Sequence, residues 1–204
     1  MKKRILTSAL AVLAIQPLAW GQTTLRDAFA NAPDEVFPLL TRNNRLDCLD
    51  FAEGKVNMEV KNRGDGQTRI DSMTNNYLRI SMTAKSRVEL RMLPATDQQP
   101  QRICMIRTYM GPAEDSQVSL YDTHWQLLGT VERPLPDAFM DEALDHEVRG
   151  ILTDLSLMCA AFAEDGKSLV WNMPTTELNK EQKSKAEGHM HNVTIPITLK
   201  PSAE

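Results

Sequence analysis

The chain has 204 residues, with 23 Lys and Arg against 27 Asp and Glu and a net charge of −4 at neutral pH. That acidic balance argues against nucleic acid and anionic lipid as partners, because both are gripped by clustered cations that neutralise phosphate. The apolar share of 42% and the charged share of 25% are ordinary for a chain that buries a core.

Lys2, Lys3 and Arg4 give the chain a cationic start, and an uncharged, mostly apolar stretch follows over residues 5–18. Ala19-Trp20-Gly21 then sets small residues at the two positions a signal peptidase reads. These three parts predict a cleaved secretory signal peptide over residues 1–21, cut between Gly21 and Gln22. A membrane anchor needs roughly 20 apolar residues, whereas this stretch is shorter and carries Gln16 and Pro17. No cysteine stands near the cut to take a lipid. The expected product is exported, periplasmic or secreted, with no transmembrane segment in the mature chain. Its net charge falls to about −7 once the three leading cations are gone.

Residues 22–204 read as one α+β domain. Thr24 caps a short helix that ends before Asn31-Ala32-Pro33, with Asp27 in the capping-box position and Leu25, Ala28 and Phe29 on one face. Asn43 or Asn44 caps a second helix reaching Phe51 and stopped by Gly54. From Lys55 the period changes to two, placing Val56, Met58 and Val60 on one face of a strand before the turn Gly64-Asp65-Gly66. Residues 77–83 turn Leu78, Ile80 and Met82 inward, and residues 87–93 do the same with Val88, Leu90 and Met92. The alternating Arg and Glu side chains are expected in solvent. Residues 102–110 contain the unbroken apolar run Ile103-Cys104-Met105-Ile106, the pattern of a central strand covered on both faces. Residues 118–122 and 125–131 form a hairpin across Thr123-His124, completing an antiparallel meander of about six strands.

Arg133-Pro134-Leu135-Pro136 is a break in composition and a candidate sub-domain boundary. Beyond it Asp137 caps a helix over residues 137–149, followed by a hairpin of residues 151–163 and 168–173 turning at Glu164-Asp165-Gly166-Lys167. A helix over residues 177–188 and a last strand over 193–199 close the chain. Helices followed by strands, twice over, predict α+β rather than alternating βαβ.

The chemistry-bearing residues are sparse. Cys48, Cys104 and Cys159 are an odd set, so at least one thiol is free within the chain. Their apolar neighbours favour buried thiols, and a bridge between two of them is the alternative. His189 and His191 share a face on a strand and are weak metal candidates, since a zinc site wants three or four ligands and no further His or Cys is near. No cofactor is expected. Asp47, Asp50 and Glu53, spaced by three, read as the polar face of the second helix. Asp115, Ser116 and His124 offer the residue types of a hydrolase triad without a Gly-x-Ser-x-Gly elbow. Arg45 and Asp47 are candidates for a structural ion pair or an interaction surface.

Three groups of residues resemble one family. They are Leu40-Thr41-Arg42-Asn43-Asn44-Arg45-Leu46-Asp47 with Asp50-Phe51; Leu90-Arg91-Met92-Leu93-Pro94; and Thr108-Tyr109-Met110-Gly111-Pro112 with Asp115-Ser116-Gln117-Val118, Tyr121-Asp122 and Trp125. Together they look like domain of unknown function family 3256, small exported proteins of Bacteroidetes, across nearly all of the mature chain. The resemblance implies a host with two membranes and carries no catalytic residue. It also implies that Asp71-Ser72-Met73 fits the O-glycosylation pattern of exported proteins in such hosts, with Ser72 as acceptor. The function expected first is a non-enzymatic envelope module that binds a partner protein or glycan. The alternatives are a periplasmic or secreted hydrolase, and a small-molecule binding module using the concavity of the meander. A cleft joining His124 or His146 to carboxylates is the mark of the hydrolase, a large apolar cavity that of the small-molecule binder, and an exposed apolar patch that of the interaction module.

Overall fold

The computed structural model describes residues 23–199, so the leader read at residues 1–21 lies outside the described residues. Helix α1 (Leu25–Ala30) begins as expected, with Thr24 Oγ1 accepting from the Asp27 N–H at 3.1 Å. Six residues are too few to form a stable helix alone, and α1 is held by burying Leu25 and Phe29 completely. Helix α2 (Arg42–Glu53) starts two residues earlier than the sequence suggested. Thr41 is its cap, because Asn44 three residues on can answer it: Thr41 Oγ1 accepts from the Asn44 N–H, and the Thr41 N–H donates to Asn44 Oδ1 at 3.0 Å. Asn43 and Asn44 therefore lie inside the first turn.

Seven strands follow in a meander whose spatial order is the chain order: β1 (Val60–Lys61), β2 (Gln67–Thr74), β3 (Tyr77–Thr83), β4 (Ser86–Leu93), β5 (Arg102–Met110), β6 (Glu114–Asp122) and β7 (Leu127–Thr130). Every pairing is antiparallel. Two readings need correction. The strand expected from Lys55 shrinks to Val60–Lys61, and Val56 and Met58 are 47% and 51% exposed. The Val56 N–H instead donates to the Phe51 carbonyl at 2.8 Å, folding this segment back on the end of α2. The hairpin turn is also longer than Thr123-His124. Asp122 Oδ1 accepts from the His124 and Gln126 N–H groups, and Trp125 takes a left-handed φ of 65° that sends its ring into the core. There the indole N–H donates to the Ala28 carbonyl at 2.8 Å, tying the turn to α1.

Register separates the two faces of the central strands. Leu78 opposes Leu90, which opposes Met105, and this face packs beneath α1 and α2. Arg91 opposes Cys104, which opposes Leu120, while Glu89 opposes Ile106, which opposes Val118. The second face is covered by everything after Arg133: a 3₁₀ turn at Pro136–Phe139, α3 (His146–Leu155), β8 (Cys159–Phe162), β9 (Ser168–Asn172), α4 (Lys180–Ala186) and β10 (Val193–Pro196). Strands β10, β9 and β8 form a separate antiparallel sheet in that order.

This covering layer overturns the expectation that Glu89 faces solvent, since it is only 5% exposed, while Arg79 on β3 stays exposed. The helix expected from Asp137 also moves. Residues 137–145 hold only the 3₁₀ turn and loop, and Asp145 is the working cap, accepting from the Glu147 and Val148 N–H groups at 3.1 and 3.2 Å. Helix α3 thus takes in Ile151 to Leu155, which had read as extended, and ends where Ser156 turns left-handed at φ 49°. Among the described residues no helix is long and apolar enough to cross a membrane.

Two-sided burial sets a measurable cost. Ile106 is fully buried in the second core, so Ile106→Ala should lose about 2–5 kcal/mol of unfolding free energy. Urea unfolding measures it, and a loss below about 1 kcal/mol, the usual cost of a surface change or less, contradicts coverage of that face.

Candidate functional site

The residues of catalytic type are dispersed. His124 lies exposed in the β6–β7 turn, and His146 is the exposed first residue of α3. Ser116 is 1% exposed near the opposite end of β6 from His124. Its hydroxyl lies 2.9 Å from Thr108 Oγ1 and accepts from the Ala160 N–H at 3.0 Å, joining the two layers. Asp115 accepts from Arg133 at 2.7 Å and from the Met158 N–H at 3.1 Å. The structure therefore brings Asp115 and Ser116 to the layer boundary and leaves His124 apart from them.

His189 and His191 flank Met190, which bridges to Met140. His189 Nδ1 lies 3.1 Å from both Asp141 oxygens, and this partner holds the Asp141 carboxyl below the usual carboxylate range. His191 is exposed, and its backbone N–H donates to the Phe139 carbonyl at 3.0 Å. Among the described residues no three His, Cys, Asp or Glu side chains are grouped to hold a metal ion.

Arg45 is 2% exposed, and its partner is Asp34 at 3.1 Å. It also donates to the Leu40 carbonyl at 2.8 Å and to the Ala32 carbonyl, pinning the loop between α1 and α2. Arg45 and Arg63 hold the Asp34 carboxyl below its ordinary range. Asp47 is exposed on α2, while Asp50 and Glu53 lie against Arg26. Ser72 is exposed on β2 beside the bulge between Ile70 and Ser72, and Asp71 accepts from Ser81 at 2.6 Å and Arg69 at 2.7 Å.

All three thiols are free and buried. Burial pushes Cys48 and Cys104 up to about 12 and Cys159 up to about 11. Cys159 donates to Glu114 Oε2 at 2.9 Å, which further favours its thiol form. Nucleophilic and metal-binding chemistry belong to the thiolate, so these are protonated packing groups at neutral pH.

The exposed apolar surface is the feature that stands apart. Leu127 and Leu128 on β7 are 60% and 42% exposed, Leu135 77% and Leu199 37%. A groove of about 480 Å³ runs between residues 131–135 and residues 195–199, with Val131, Pro134, Leu135, Ile195, Pro196 and Leu199 as its apolar lining beside Glu132 and Arg133. Gly129 joins groove and strand. At φ 149° it lies so near Leu199 that an added Cβ would stand 3.1 Å from Leu199 Cδ2. Strand β7 is last in the sheet, so among the described residues its outer edge lacks a strand partner. Leu127-Leu128-Gly129-Thr130 carries no Lys or Pro of the kind that guards free edges. The opposite edge, β1, has two residues and a Lys61–Asp65 ion pair.

Two other recesses lie away from β7. One of about 210 Å³ lies between residues 35–39 and the ends of β3 to β5, where Arg107 already donates to the Val36 carbonyl. Another of about 340 Å³ lies between α2, residues 55–58 and β2. The pattern of residues 125–131 predicts a hairpin strand but does not reveal that this strand ends the sheet. Adjacent leucines on a strand point to opposite faces, so Leu127 and Leu128 require either cover on both faces or exposure of at least one.

The curated proteins contain no match to this chain. A solved structure with similar architecture is a domain of an uncharacterized protein from Porphyromonas gingivalis W83, at 22% identity and a TM-score of 0.67, covering 84% of this chain and 92% of that one. Likeness at that identity speaks to fold alone. The family model described as a protein of unknown function, DUF3256, matches residues 19–199. The chain belongs to that family.

Proposed function

We propose that this chain is an exported, non-enzymatic interaction module that takes an extended segment of an envelope protein onto the outer edge of β7. The observation that carries the reading is the uncharged free edge of Leu127–Thr130 with its exposed leucines and adjoining groove. An added strand satisfies the backbone groups of the edge, while alternate side chains fill apolar recesses beside it. The dispersal of His124, Ser116 and His189, and the buried state of the thiols, support binding over hydrolysis. Export rests on the cationic start, the short apolar stretch and Ala19-Trp20-Gly21. The mature acidic charge fits a protein or neutral glycan partner better than a polyanion.

Expressed in its own host, the tagged chain should appear in the envelope or medium with Gln22 as its first residue. Precursor confined to the cytoplasm contradicts the export half. The edge is tested with Leu128→Lys against Glu177→Lys, an exposed change away from β7. The β7 variant should lose a pulled-down envelope protein by tenfold or more, about 1.4 kcal/mol, while Glu177→Lys retains it. Equal recovery by both variants contradicts docking on β7.

A further inference from the structure

The second face of the main sheet carries two arginines that the protein itself leaves uncompensated. Arg26, Arg45, Arg63, Arg69, Arg87, Arg133 and Arg149 each have a carboxylate within ion-pair distance. Among the described residues, Arg91 and Arg102 have neither an ion pair nor a side-chain hydrogen bond, and the Nε of each is buried without a partner. Arg102 is 9% exposed.

The two lie together. Arg91 on β4 directly opposes Cys104 on β5, and Arg102 stands two residues before Cys104, on the same face. Diagonal neighbours of this kind have Cβ atoms roughly 7–8 Å apart. Both guanidinium groups act on the Cys104 thiol, drawing its pKa down against the larger effect of burial. The Arg91 guanidinium is fixed by two aromatic rings, 5.3 Å from the Tyr77 centroid and 5.0 Å from that of Phe162. The turn between β8 and β9 closes on it, so that a Cβ at Gly166 would stand 2.5 Å from Arg91 Nη1.

Asp122 directly opposes Arg102 on β6, and its Oδ1 accepts from the His124 and Gln126 N–H groups. Glu89 accepts from the Tyr77 hydroxyl at 2.6 Å and faces Arg87 at 3.2 Å. Asp165 accepts from the Lys167 and Ser168 N–H groups and from the Ser168 hydroxyl. A guanidinium stays protonated at any physiological pH, and a buried Nε–H with no acceptor leaves a donor unused inside the protein. Two guanidinium groups on neighbouring strands and one face offer donors to an anion that can accept hydrogen bonds on several sides at once.

We propose that Arg91 and Arg102 form a binding site for a tetrahedral oxyanion of the phosphate or sulfate type, either free or as the terminal ester of a larger ligand. The site is independent of the β7 edge.

Inorganic phosphate, inorganic sulfate and glucose 6-phosphate are the probes, each compared with chloride at equal ionic strength by thermal unfolding and titration calorimetry. Phosphate or sulfate should raise the wild-type Tm, and the rise should be absent in Arg102→Met. That variant should be at least as stable as wild type in chloride, because an apolar side chain of similar length replaces an unpaired charge. A response to glucose 6-phosphate at least equal to that of phosphate assigns the site to an ester, and a weaker one assigns it to the free ion. Arg91→Gln, which keeps a planar polar end, should weaken the phosphate response at least tenfold if Arg102→Met does not fold. No wild-type response beyond chloride overturns the proposal, as does an equal response in wild type and both variants.

Discussion

Burial of β5 on both faces is the constraint from which the rest of the architecture follows. Ile103, Cys104, Met105 and Ile106 are all 0–1% exposed, so neither face of the central sheet can be left to water. Each fully buried apolar side chain contributes roughly 1.5–3 kcal/mol, and a single layer of helices covers only one set of alternating residues. The chain meets the requirement from its two ends. Helices α1 and α2 cover Leu90 and Met105, while the segment after Arg133 covers Cys104, Ile106, Val118 and Leu120. Ser116 binding the Ala160 N–H and Arg133 reaching Asp115 stitch the second layer to β6.

That solution determines what remains available for function. The thiols are absorbed into packing, and Arg45 is spent on holding a loop. Covering both faces still leaves the ends of an open sheet, where backbone groups lack strand partners. At one end the chain makes β1 only two residues long beside a charged pair. At the other it presents Leu127 and Leu128 with Leu135 and Leu199 nearby. Beyond β1 the outer side of β2 is also without a strand partner among the described residues, but it carries the Arg69–Asp71 ion pair, whereas β7 is uncharged. This contrast supports the proposed addition at β7.

Much of this was legible in residue order. The unbroken run 103–106 marked β5 as central, and strict alternation located β3 and β4 with their inward residues correct. The Thr24 cap and the α+β pattern were also readable. What escaped depended on contacts made by distant residues. Strand β2 has Ile70 and Met73 three apart because a bulge shifts its register, so it shows no period of two. Val56 and Met58 alternate like a strand, yet the end of α2 captures them. Glu89 reads as solvated because nothing local announces that the second layer will close over it. The exposed leucines of β7 were hidden for the converse reason, since exposure on an edge depends on which strand fails to follow.

Hydrogen exchange along β7 tests the edge most directly. Leu128 and its neighbours should exchange quickly in the isolated protein and slow by tenfold or more when envelope extract carrying the pulled-down protein is added. The amides of β3 to β5, already covered on both faces, should stay unchanged. Protection that appears on α2 or at residues 35–39 while β7 continues to exchange freely contradicts strand addition at this edge.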